Sequence, residues 1–247
     1  MEEYQKRIKD FHDKDSWDEK LRLLNRAWGY AQLGMVEDSI KECEALVVRD
    51  KKDPHSYVEL AYYYEKNGNL ERAIDLYKYL MVKFPTYSTA YSNLGHIYQV
   101  RKKQPGIAML CYEKALELNP EDAWALNNIG TVKQNEGRWA EALSYYEKAT
   151  MAAEAECLEQ ERLNLILHNL GWAYYRCKDY QNAQRVLEGL TETDKNEPSV
   201  FSDLGCVFYK MGKFKKAQIS FEVALRLYGY SRYYKRLWST AQRKCEV

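Results

Sequence analysis

Little in this 247-residue chain favours a loop-rich or membrane-embedded architecture. Glycine occurs only 12 times and proline five times, which disfavours an all-β fold built on tight turns. No apolar run approaches the roughly 18 residues that a membrane span needs. Neither sign of charge dominates: 37 Lys and Arg oppose 36 Asp and Glu, a net of +1. Nothing therefore pulls the whole chain toward nucleic acid or an anionic membrane. The N-terminal residues are acidic where a secretory leader would be basic and then apolar. Six cysteines (Cys43, Cys111, Cys157, Cys177, Cys206, Cys245) include no CxxC pair and no regular spacing. That predicts reduced, mostly buried thiols rather than a disulfide frame or zinc site. A protein without a transmembrane segment, resident in the cytoplasm and carrying no metal and no cofactor, is the expectation.

What the chain does have is a repeat. Leu94-Gly95-His96-Ile97-Tyr98 is echoed by Leu170-Gly171-Trp172-Ala173-Tyr174 and by Leu204-Gly205-Cys206-Val207-Phe208. Weaker copies surround Ala27, Ala61 and Gly130. The small residues Ala27, Ala61, Gly95, Gly130, Gly171 and Gly205 recur at spacings of 34, 34, 35, 41 and 34. About a dozen residues later each copy has a second small residue followed by a larger one. These pairs are Ser39/Cys43, Ala73/Tyr77, Ala108/Tyr112, Ala142/Tyr146, Ala183/Leu187 and Ala217/Phe221. Apolar residues within each copy recur at i, i+3, i+4 and i+7, the period of amphipathic helices. Small residues suit places where two helix backbones approach closely. Gly34, Asn67-Gly68, Gly137 and Gly212 fall at the turn inside a copy, where a helix end favours a left-handed residue. All five prolines (Pro54, Pro85, Pro105, Pro120, Pro198) fall at predicted turns, so none breaks a helix.

This pattern resembles the tetratricopeptide repeat, a helix–turn–helix unit of 34 residues. The resemblance implies an all-α, right-handed superhelical solenoid of six units, about 20–53, 54–87, 88–122, 123–156, 164–197 and 198–231. Capping helices are expected over residues 1–16 and 232–247, the former leading into the capping-box spacing of Ser16 to Glu19. The one extra residue of the third unit is expected in the turn at residues 101–106. The seven extra before Gly171, close to two helical turns, are expected to lengthen helices within residues 151–163.

In such a stack the first helix of each unit lines the inner face. Its sixth position reads Asn25, Glu59, Asn93, Asn128, Asn169 and Asp203. A carboxamide both donates and accepts, so it can pair with one peptide unit of an extended chain. The row resembles the asparagine ladder of the O-GlcNAc transferase superhelix, interrupted here at Glu59. The ninth position reads Trp28, Tyr62, His96, Thr131, Trp172 and Cys206, with rings that suit apolar anchors of a partner. The expected binding groove is therefore Asn25, Trp28, Tyr62, Asn93, His96, Asn128, Asn169, Trp172 and Asp203. The alternative use of the amides is to bond within the scaffold itself.

One family specialisation is absent. A two-carboxylate clamp for chaperone tails needs lysine at a fifth position, and these read Leu24, Val58, Ser92, Asn127, His168 and Ser202. No GxSxG, P-loop, HExxH or GxGxxG is present, so no enzyme is expected. His12, Asp13 and Asp15 form a loose cluster better explained by solvation than by ligation. Residues 208–247 hold ten Lys or Arg against Glu222 and Glu246, interleaved with Tyr228, Tyr230, Tyr233, Tyr234 and Trp238. The expected function is a non-catalytic scaffold that holds a peptide or segment of a partner protein. A cytosolic chaperone, or an adaptor using the basic C-terminus on nucleic acid or an acidic surface, are the alternatives. Nucleic acid is not the expected partner, and the chain is expected to be monomeric or to self-associate weakly.

Overall fold

Where the computed structural model describes the chain, residues 19–155, 158, 160–229 and 231–245, every regular element is helical. The cap expected at residues 1–16, Ser16, the His12/Asp13/Asp15 cluster, Cys157 and Tyr230 lie outside the described residues. Helices α1 (Glu19–Gln32), α2 (Val36–Arg49), α3 (Pro54–Lys66), α4 (Leu70–Lys83), α5 (Ser88–His96) and α6 (Pro105–Leu118) pack in sequential pairs. So do α7 (Ala123–Asn135) and α8 (Trp139–Ala155), α9 (Gln160–Arg176) and α10 (Tyr180–Thr193), and α11 (Pro198–Lys210) and α12 (Phe214–Tyr228). The last helix, α13 (Arg232–Cys245), packs on α12. The chain divides into two compact units, up to Pro120 and from Glu121 onward, a division that the repeat phase does not announce.

Helix starts are written locally. Asp53, Asn69, Asp122 and Asp179 each accept a backbone N–H from the first turn they precede, satisfying a donor that the helix leaves orphaned. Pro54, Pro105 and Pro198 open α3, α6 and α11, where a missing N–H does no harm. At the turns inside the pairs, Gly34, Gly68, Gly137 and Gly212 have φ of +75°, +80°, +76° and +75°. Lys178 and Lys103 take the same left-handed place in the other two pairs, at φ +66° and +55°.

These turns show where the extra residue of the third pair went. In five pairs an N–H just past the first helix bonds a carbonyl five residues back: Met35 to Tyr30, Asn69 to Tyr64, Arg138 to Lys133, Asp179 to Tyr174 and Lys213 to Phe208, at 2.8–3.0 Å. In the third pair Gln104 reaches six back, to Tyr98, at 2.8 Å. The helix widens into a π-helical turn over Ile97–Arg101. The insertion therefore lies in the final turn of the first helix, and only the rest of the loop lies in the expected stretch 101–106. A π turn absorbs one residue without rotating the helix that follows, which a longer loop does not guarantee. The seven-residue insertion behaves as expected: α8 and α9 each run 17 residues, against 13 and 14 for α7 and α10.

The four glycine markers face rings or a branched side chain of the second helix. A Cβ at Gly95 would stand 2.6 Å from Cε1 of Tyr112, and at Gly130 2.7 Å from that of Tyr146. Gly205 meets Phe221 at 2.6 Å, and Gly171 meets Leu187 at 2.8 Å. In these four pairs the second helix thus seats one large, fully buried side chain on the glycine of the first. Burying such a side chain contributes about 1.5–3 kcal/mol. In the first unit the core continues through Leu60, Ala61, Ile74, Leu80 and Ile97. In the second it runs through Leu187, Leu190, Val200, Val207 and Ala241, with Leu237 and Trp238 of α13 packed against it. The cysteines are less buried than expected: of five free thiols among the described residues, only Cys43 is buried and the rest are half-buried.

Candidate functional site

The sixth and ninth positions of the first helices behave differently in the two units. In the first unit Trp28 on α1 and Tyr62 on α3 stand 45 % and 41 % exposed. Tyr62 is held edge-on by Tyr63, with ring centroids 5.2 Å apart, and Lys66 Nζ lies 5.3 Å from its ring. Asn25 and Asn93 are half-buried, and neither side-chain amide bonds another described residue. For Asn93 the reason is the fifth position one repeat earlier, Val58, whose side chain has no hydrogen-bonding atom. Glu59, which interrupts the amide row, lies 3.8 Å from His55 Nε2. His96 is half-buried, its Nδ1 3.9 Å from Glu65. Burial lowers its pKa below the usual histidine value; Glu65 opposes that shift, while Arg101 and Lys66 reinforce it. Arg101, on the π turn, also donates to the Glu65 carbonyl at 3.4 Å.

In the second unit the fifth positions are polar, and two of them, Asn127 and His168, engage the row. Asn169 Nδ2 on α9 donates to Asn127 Oδ1 on α7 at 2.9 Å. His168 Nε2 on α9 meets Asp203 Oδ2 on α11, also at 2.9 Å. In both, a fifth-position side chain bonds the sixth-position side chain of the next first helix. Asn127 is only 2 % exposed, so its oxygen depends on that donor. Asn128 is 5 % exposed, and its Nδ2 has no acceptor among the described residues. Trp172 is half-buried and stacked on Tyr175, centroids 4.8 Å apart at 22°. Cys206, at the ninth position of α11, has its thiol pushed up to about 12 by burial, with Asp203 adding to the shift. It stays protonated and is a poor nucleophile.

The nine predicted groove residues therefore fall into two sets. Asn25, Trp28, Tyr62, Asn93 and His96 share the first-helix face of the first unit. Asn128, Asn169, Trp172 and Asp203 belong to the second, where Asn169 and Asp203 are already bonded between helices. Asn127 and His168 were legible only as lacking lysine. A signal for their role was present, since both are polar fifth positions followed one repeat later by a polar sixth. No helix among the described residues is long and apolar enough to cross a membrane.

Family models described as tetratricopeptide repeat match residues 24–88, 88–122 and 121–196. Among curated proteins, the type IV pilus assembly protein PilF of Pseudomonas aeruginosa is 28 % identical over 66 % of this chain and 62 % of its own length. The probable UDP-N-acetylglucosamine–peptide N-acetylglucosaminyltransferase SPINDLY of Hordeum vulgare is 29 % identical over 49 % of this chain. That match covers 13 % of the SPINDLY protein. The chain thus spans less than two thirds of the length of either relative. Among solved structures, the Cut9–Hcn1 hetero-tetramer of the APC/C superposes with a TM-score of 0.75 at 17 % identity, over 97 % of this chain and 45 % of that one. The structure of Pseudomonas aeruginosa PilF gives 0.67 at 22 % identity, over 78 % of this chain and 84 % of that one. These likenesses share the helical-repeat solenoid fold.

Proposed function

Because the chain belongs to the tetratricopeptide-repeat family, whose helix pairs serve as protein-interaction scaffolds, we propose that its first unit grips an extended segment of a partner protein on the face of α1, α3 and α5. The observation that carries this reading is the pair of large rings, Trp28 and Tyr62, standing two-fifths exposed at the same position of successive first helices. Exposed tryptophan and tyrosine are the residue types that most often anchor a partner. Asn25 and Asn93, whose amides have no bond to another described residue, are free to pair with a visiting peptide backbone. Each such bond contributes about 0.5–1.5 kcal/mol net, and each newly buried ring about 1–2 kcal/mol. Two of each support binding between the millimolar and about the 10 μM range. The role requires no chemistry from this chain, and we read it as non-catalytic.

The test uses a 12-residue peptide selected from a random-sequence display library against the full chain. Trp28→Ala with Tyr62→Ala is expected to weaken that peptide about tenfold or more, with far-UV helicity at 25 °C retained. Unchanged affinity in the double variant would remove the basis of the proposal.

A further inference from the structure

The second unit carries a pronounced internal charge division. Residues 121–207 hold fifteen Asp or Glu against eight Lys or Arg, and residues 208–247 hold ten Lys or Arg against two Glu. All ten cations are exposed. Of the two acids, Glu222 is occupied by Arg226 at 2.6 Å. Among the described residues no carboxylate pairs with Lys210, Arg236, Arg243 or Lys244.

Their placement is ordered. Tyr234, Leu237, Trp238 and Ala241 turn α13 toward the unit, since Leu237 and Trp238 pack on its core and Ala241 is fully buried. Tyr233, Arg236, Thr240 and Arg243 then follow at i, i+3, i+7 and i+10, a single stripe on the side left open. Tyr233 is 62 % exposed. Burial raises its pKa, with Cys206 and then Asp203 of α11 adding to the shift. Lys210 and Lys244 stand 34 residues apart, one repeat, each at the C-terminal end of its helix. Tyr228, Tyr233 and Tyr234 form a ring cluster at the α12–α13 joint, with centroids 5.4–5.5 Å apart.

We propose that this stripe, Tyr233, Arg236, Arg243 and Lys244, is a second docking surface and that it takes a short acidic segment of a partner protein. Arginine presents a fork that matches a carboxylate in two bonds, and a neighbouring tyrosine covers the apolar stem of a glutamate. Charge distribution selects a short acidic stretch over a polyanion. A nucleic acid or an anionic bilayer extending past α11 meets the fifteen-to-eight acidic excess of residues 121–207, whereas a segment of a few acids does not. The surface is separate from the peptide-binding face proposed for the first unit and does not depend on it.

The experiment is an anisotropy titration of the full chain with a labelled 12-residue peptide of alternating Glu and Ala containing one Leu, beside its Gln-for-Glu twin. The acidic peptide is expected to bind about tenfold more tightly than the twin and to weaken severalfold between about 50 and 200 mM salt. Arg236→Ala with Arg243→Ala and Lys244→Ala is expected to abolish the difference while helicity and melting temperature hold, because all three side chains are exposed. Asn25→Ala with Asn93→Ala is expected to leave it intact, which separates this surface from the first. Equal binding of the two peptides, or a triple variant that binds normally, overturns the proposal. So does tighter binding of a single-stranded RNA oligonucleotide or phosphatidylserine vesicles than of the acidic peptide. Salt-sensitive dimerisation in sedimentation that the acidic peptide fails to reverse would give the surface to a second copy of the chain and overturn it too.

Discussion

Replacing Asn169 by alanine separates structural amides from binding amides. The substitution removes the 2.9 Å bond to Asn127 Oδ1. The partner residue is 2 % exposed, so water does not readily replace the lost donor. Losing a neutral bond and stranding a buried acceptor together cost about 1–3 kcal/mol. For a unit of this size that lowers the melting temperature by about 3–10 °C. Asn127→Ala is expected to cost a similar amount, and the double variant less than the sum, with a coupling of about 0.5–1.5 kcal/mol. Asn93→Ala removes no bond to a described residue and is expected to stay within about 0.5 kcal/mol of the parent. Thermal and urea melts of the full chain, followed by far-UV circular dichroism, read all four proteins. Equal destabilisation by Asn169→Ala and Asn93→Ala, or strict additivity in the cycle, refutes the division of the row into bonded and available amides.

Further consequences are measurable in the same melts. Gly205→Ala forces a Cβ to within 2.6 Å of the Phe221 ring and is expected to cost about 1–3 kcal/mol. Gly189→Ala, inside α10 with nothing within 4 Å of the new Cβ, is expected to gain about 0.5–1 kcal/mol from helix propensity. Lys178→Gly relieves a left-handed backbone at φ +66° and is expected to stabilise by up to about 1 kcal/mol. His96 has a folded pKa below its unfolded value, so the unfolded chain binds the proton more readily. Its contribution is complete above the unfolded pKa, about 6.5, and fades as pH falls through that value toward the folded pKa. His96→Gln is expected to flatten the stability profile between about pH 7 and 5; an unchanged slope contradicts the assignment.

The helical pairs were legible because small residues, turn glycines and apolar period all carry one phase, and each is enforced locally. Gly137 must sit at φ +76° because the turn requires it, and the sequence shows a glycine there. Lys178 obeys the same turn without the residue that signals it, so its strain was hidden. The π turn was misplaced by a few residues because spacing counts the extra residue without saying whether helix or loop absorbs it. The rings seated on Gly95 and Gly130 were present in the sequence as Tyr112 and Tyr146, but which atoms meet depends on the helix crossing. The candidate site was legible as a row of positions. The use of Asn169 and Asp203 was not, because their partners Asn127 and His168 lie 42 and 35 residues away and meet them only through the stacking of first helices.

Backbone recognition by the first unit is tested most directly by chemical editing of its ligand. A library-selected peptide is resynthesised with N-methyl groups at successive backbone nitrogens, leaving its side chains intact, and each version is titrated against the full chain and against Asn25→Ala/Asn93→Ala. Methylation at one or two sites is expected to weaken binding to the parent by about fivefold or more and to have no further effect on the double variant. If every methylated peptide binds the parent as tightly as the original, those amides hold no visiting backbone and the reading of the first unit fails.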